Sequence, residues 1–176
     1  MTEMLVVRWL TAVFLLPGTV LGLVPWVILR FSSEYEGLQV DPSCPAFWAA
    51  VLAGLCGLLL GLWTMSLFIR FGDGTAAPWD PPKRLVVRGP YRHVRNPMIT
   101  GVFLMLITES IVFGSWGLFA WLVIFTLGNL VYIPCFEEPG LAKRFGEDYV
   151  AYKRGVPRWI PRLVAWRQQE KQEGDG

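Results

Sequence analysis

The run Pro42-Ser-Cys-Pro-Ala-Phe-Trp-Ala-Ala-Val-Leu-Ala-Gly-Leu-Cys-Gly-Leu-Leu-Leu-Gly-Leu-Trp-Thr-Met-Ser-Leu-Phe-Ile69 holds 28 residues without a charged side chain. A helix needs about 20 apolar residues to cross roughly 30 Å of hydrocarbon, so this run alone predicts a membrane-spanning helix. Trp9 to Leu29 and Ser110 to Phe136 meet the same criterion, with 21 and 27 uncharged residues. Asn96 to Thr108 is shorter and continues through Glu109 to about Phe113. The pattern therefore predicts four membrane helices, at 5–29, 46–70, 97–113 and 116–136. Only Gly114-Ser115 separates the last two, which are expected to form a hairpin. The first run is not read as a cleavable signal: it holds Pro17 and Pro25, lacks a small-residue cleavage site and exceeds the usual apolar core of about 7–15 residues.

Composition points the same way. Of 176 residues, 53% are hydrophobic and 17% charged, whereas soluble domains are about a quarter charged. A net charge of +2 does not suggest nucleic acid as a partner. Cys44, Cys56 and Cys135 are odd in number and far apart, giving neither a disulfide framework nor a zinc spacing, so no metal site is expected. One domain is expected over about 1–167, with 168–176 as a disordered tail.

Loop charge sets the expected orientation. The segment 30–41 carries Arg30 against Glu34, Glu36 and Asp41. The segment 70–95 carries Arg70, Lys83, Arg84, Arg88, Arg92 and Arg95 against Asp73 and Asp80, and eight more cations follow Phe136. The positive-inside rule puts both termini and the long central loop in the cytoplasm. A polar site would then be built from two cytoplasmic segments, about 70–97 and 134–167.

In the first segment, Pro97 suits the opening position of a helix and Asn96 its N-cap. The adjacent amides, with Arg92 and Arg95, form a positive end able to hold an anion or to meet lipid headgroups. His93 is the only histidine. In the second, Pro134 is expected to kink the helix and free the carbonyl of Leu130, with Asn129 one turn above as a bonding partner. Glu137 and Glu138 follow; neighbouring positions on a helix sit about 100° apart, so the two are expected to do different jobs. Leu141, Phe145, Tyr149 and Tyr152 then recur at helical spacing opposite Lys143, Arg144, Glu147 and Asp148, which predicts a cytoplasmic amphipathic helix. Arg158, Trp159, Arg162, Trp166 and Arg167 suit the headgroup zone. Glu109 is an intramembrane acid, near enough to Gly114-Ser115 to reach the outer interface.

The string Arg88-Gly-Pro-Tyr-Arg-His-Val-Arg-Asn-Pro-Met98, followed about 40 residues later by Glu137-Glu138, Leu141, Phe145-Gly146, Tyr149, Tyr152 and Val156-Pro157, resembles the membrane methyltransferases grouped as isoprenylcysteine carboxyl methyltransferases and phospholipid methyltransferases. The resemblance covers about 72–161. It implies an all-α integral membrane fold and S-adenosylmethionine as methyl donor in a cytoplasm-facing pocket. It also implies a lipophilic acceptor arriving from the bilayer, whether isoprenylcysteine carboxylate-like, phospholipid-like or a hydrophobic thiol. By motif, the cofactor residues would be Gly72, Gly74, Tyr91, His93, Arg95, Asn96, Pro97, Glu137, Glu138 and Tyr149, with His93, Glu137 and Glu138 as catalytic candidates. Ile99 stands where many relatives carry Tyr, a departure that bears on acceptor choice. The alternative reading is a membrane NADPH-dependent reductase of sterols or enones on a related fold, although no dinucleotide fingerprint is present. A non-enzymatic membrane scaffold or small transporter is the third.

Overall fold

The structure, a computed structural model, describes residues 11, 15–32, 41–72 and 82–167. The expected tail at 168–176, the start of the first predicted span and Gly74 lie outside the described residues. Among the described residues the regular structure is entirely helical. The elements are α1 (Thr19–Phe31), α2 (Pro45–Phe71), a 3₁₀ turn (Gly89–Arg92), α3 (Pro97–Val112), α4 (Trp116–Tyr132) and α5 (Glu138–Gly155). Among the described residues, two helical stretches are long and apolar enough to cross a membrane: α2, and the continuous path from Trp116 to Gly155. The apolar helices α1 and α3 are shorter. Leu52, Leu55, Leu59 and Leu62 on α2 and Ile124, Leu127 and Val131 on α4 face outward. Such an apolar exterior suits lipid as solvent, and this is a membrane protein.

Small residues determine how the helices meet. A Cβ on Gly57 would lie 2.6 Å from the Gly101 carbonyl oxygen, and one on Gly101 2.7 Å from that of Gly57. The α2 and α3 backbones therefore touch, as small residues permit in a membrane, where hydrophobic exclusion gives no drive to associate. Nearby, the Thr108 hydroxyl donates across the interface to the Ala50 carbonyl at 2.7 Å. These contacts make α2 and α3 antiparallel. Gly114, at φ 56°, turns the chain tightly into α4, and Ser115 caps it by accepting from the Leu118 amide. The expected α3–α4 hairpin is present. Helix α1 packs on α4, with Trp121 donating from Nε1 to the Val20 carbonyl at 3.1 Å.

At Pro25 and Pro134 the helical path widens rather than breaks. Pro25 follows the π turn Thr19–Leu23, and Pro134 lies within the π turn Ile133–Glu137. A wider turn accommodates the missing donor and the ring's clash with the carbonyl four residues back. Helix α4 accordingly runs on into α5. Asn129 does not serve the Leu130 carbonyl as expected; its Nδ2 donates to Phe125, one turn back, at 2.8 Å. The single helix expected after Pro139 is interrupted at Gly146, whose φ of 58° and ψ of −134° belong to glycine.

Candidate active site

The end of the molecule where α2 stops, α3 begins and α4 passes into α5 encloses a cavity of about 340 Å³. Its wall is largely apolar, with Val20 of α1, Met98, Ile99 and Val102 of α3 and Phe125 of α4. Tyr91, Arg95, Asn96, Glu137, Glu138 and Tyr149 supply its polar groups. The loop before α3 and the π turn after α4 thus deliver both sequence motifs to one chamber.

Glu138 is the electrostatic centre of these polar groups. Its side chain is 2% exposed and meets three cations: Arg95 Nη1 at 2.5 Å, Arg158 Nε at 2.7 Å and Lys153 Nζ at 2.8 Å. Arg158 makes a second bond, from Nη2 to Oε2, at 3.0 Å. Burial pushes the Glu138 carboxyl up, but the hydrogen bonds from Arg158 and Lys153 and the charges of Arg95 and Arg158 outweigh it and hold the group below the usual carboxylate range. It is ionised at neutral pH, and of its three cations Arg95 alone belongs to the cavity lining.

Glu137, one residue earlier, is in the opposite condition. Burial first, and then the charge of Glu138, push its carboxyl up. Both acids line the cavity, but in different surroundings: Glu138 is ringed by cations, while Glu137 is half-buried and has no comparable cation shell among the described residues. Burial also raises Tyr91 and carries Tyr149 to about 12, the latter assisted by Glu138 and opposed by Arg95. Both phenols keep their protons. Tyr152, buried as well, donates to the Tyr91 carbonyl at 2.7 Å and fixes the 3₁₀ turn against α5.

Two buried donors on the cavity residues lack a protein partner: Arg95 Nε and Asn96 Nδ2. Asn96 occupies the N-cap position of α3 but makes no side-chain cap bond, contrary to expectation. An unmet buried donor costs about 1–3 kcal/mol, so a pair of them beside a guanidinium marks a place for an anionic oxygen.

Several predicted residues serve elsewhere. His93 is not in the cavity lining; its Nδ1 lies 2.8 Å from the Arg162 carbonyl, and its own carbonyl accepts from the Arg162 amide at 3.0 Å. Pro97 is buried beneath the site as the first residue of α3. Gly72 is also outside the lining, and its carbonyl accepts from the Lys83 and Arg84 amides. The stretch after α5 folds back on the loop before α3 as a strap. Arg95 donates its amide to the Pro157 carbonyl, Trp166 its amide to Arg92, and Arg92 Nε to the Trp166 carbonyl. Trp159 stacks at 5.5 Å on Phe103, while Trp166 packs on Tyr152 and Gly155. Sequence reading thus missed Lys153 and Arg158 as partners of Glu138. Arg158 had a faint signal in its place directly after Val156-Pro157; Lys153 had none.

The family model described as phospholipid methyltransferase matches residues 45–148 of the chain, more than half of it. Over 84 residues the chain is 34% identical to methanethiol S-methyltransferase 2 of Bradyrhizobium diazoefficiens, a match covering 46% of this chain and 30% of that protein. The match therefore spans less than a third of that relative's length. No solved structure gives a significant match.

Proposed function

Because the chain belongs to the phospholipid methyltransferase family, we propose that it transfers a methyl group from S-adenosylmethionine to a lipophilic acceptor inside this cavity. The observation that carries the reading is the cavity's mixed lining: the unpartnered buried N–H groups of Arg95 and Asn96 in a wall that is otherwise largely apolar. When bound, the donor supplies an electrophilic methyl on a sulfonium. Arg95 and Asn96 fit the donor's carboxylate, since both have a buried N–H with no protein partner. Glu137, the acid outside the cation cluster, fits its ammonium. The faces of Tyr91 and Tyr149 suit a cationic sulfur and an adenine ring.

No protein nucleophile is required. The protein's work is to align the two reactants and keep water away. The apolar wall formed by α1, α3 and α4 takes the acceptor. A carboxylate acceptor needs no base; a thiol or amine passes its proton to Glu137, because His93 is engaged by the C-terminal strap. The nicotinamide reading gains nothing from the comparisons. For the topology we propose four spanning segments, with both termini and the cavity on the cytoplasmic side, following the loop charges.

The test is calorimetric titration of detergent-purified protein with S-adenosylhomocysteine, with NADPH in parallel. Saturable binding of the first alone, weakened at least about tenfold by Arg95→Ala through loss of a charge-assisted contact, is the expected result. Binding of NADPH alone, or of neither by folded protein, overturns the reading. Assays with a small thiol, phosphatidylethanolamine and a prenylated cysteine then identify the acceptor.

A further inference from the structure

Beside the cavity lies a second, more open groove of about 630 Å³, and the two share Arg84, Leu85, Val86 and Phe145 in their walls. Among the described residues, the charged side chains lining the groove are Arg70, Arg84, Arg88 and Asp148. Three guanidinium groups against one carboxylate leave it net positive. Arg84 and Asp148 already engage neighbours, so the argument rests on Arg70 and Arg88. Arg70 stands in the last turn of α2, the longest uninterrupted apolar helix. Arg88 is held in place, its guanidinium carbon 4.2 Å from the centre of the Phe71 ring. A planar guanidinium matches the oxygens of a phosphate, and one already stacked on an aromatic face loses little freedom on binding.

We propose that this groove is a binding site for the phosphate of an anionic membrane lipid, separate from the cavity that takes donor and acceptor. A lipid rather than a free phosphate is favoured by position. The groove opens at the end of a helix whose outward face, through Leu59, Leu62 and Ile69, is apolar and suits acyl chains. Anionic headgroups attract cations at this level over about a Debye length. The inference does not depend on the methyl-transfer reading, because it concerns lipid retention alone.

The test is native mass spectrometry of detergent-purified full chain given an equal mixture of phosphatidylglycerol and phosphatidylcholine. The wild type should retain phosphatidylglycerol in preference. Arg70→Gln/Arg88→Gln should reduce that preference roughly tenfold, from the loss of two interfacial cations. Arg154→Gln, an exposed arginine outside the groove, should keep it. Equal preference in the wild type and the double variant overturns the proposal. Excess inorganic phosphate should leave retention unchanged; displacement by it reassigns the groove to free phosphate and overturns the lipid assignment. Should the double variant fail to fold, Arg70→Gln alone, at an exposed position, carries the same test.

Discussion

Replacing Glu138 with Gln keeps the side chain's size and one carbonyl oxygen but removes the charge that three cations share. Breaking a buried pair costs about 3–5 kcal/mol, because the partner charge is left stranded. Arg158 and Lys153 are 29% and 47% exposed and can turn to water, where such pairs are worth about 0–1 kcal/mol each. Arg95, 10% exposed, cannot, so its stranding dominates and the lower figure applies. A loss of about 3 kcal/mol corresponds to a fall in Tm of roughly 6–12 °C for a chain of this size. The pH dependence has a definite sign. With its folded pKa held below the unfolded value of about 4.3, Glu138 contributes its full stabilisation above that value and loses it as pH falls through the folded one. The wild type should therefore lose Tm below about pH 4 more steeply than Glu138→Gln. Thermal unfolding in detergent, followed by tryptophan fluorescence from neutral to acidic pH, measures both effects. A Tm change under about 2 °C, or parallel acid limbs, would refute the assignment of Glu138 as the keystone of the cation cluster.

Other substitutions separate packing, backbone and site effects. Gly57→Ala drives a Cβ into the Gly101 carbonyl and should cost about 1–3 kcal/mol as overpacking. Gly61→Ala, with nothing within 4 Å of its Cβ, should be neutral or slightly stabilising in the same melt. Gly146→Ala meets no atom but must adopt φ 58°, so a loss of about 1–2 kcal/mol reports backbone strain alone. His93→Ala should lower stability by about 1 kcal/mol through the lost Arg162 contact while leaving S-adenosylhomocysteine affinity within about twofold; a large affinity loss would return His93 to the cavity. Donor binding should weaken with falling pH, beginning above the ordinary carboxylate range because the pKa of Glu137 is raised, and Glu137→Gln should abolish that dependence in pH-stepped titrations.

Much of the site could be read from the chain because its parts are local. Arg95, Asn96 and Pro97 sit together at a helix start, and Glu137 and Glu138 are adjacent, so each half of the polar wall is a short contiguous motif. His93 lies outside the cavity lining for a reason that sequence does not reveal. Its neighbours Tyr91 and Arg95 face the cavity, whereas its ring meets the Arg162 carbonyl 69 positions away. The same holds for Arg158 and Trp159, whose cationic and aromatic character suits a headgroup zone equally well until the strap's path is known. Gly146 showed no sign of a break, since its apolar neighbours keep a helical spacing on either side of it.

Local and additive properties were thus determined by the sequence alone. Long uncharged runs require helices in lipid, Gly114 and Ser115 require a turn, and the prolines mark where the helical ladder must widen. The tertiary structure decided which charges meet. The energy of a carboxylate depends on the number of cations within a few ångströms and on the water excluded around them. Glu137 and Glu138 are chemically identical neighbours, about 100° apart on a helix. Only the return of Lys153 and Arg158 to the side of Glu138 made it an ion-paired anchor and left Glu137 outside the cation cluster.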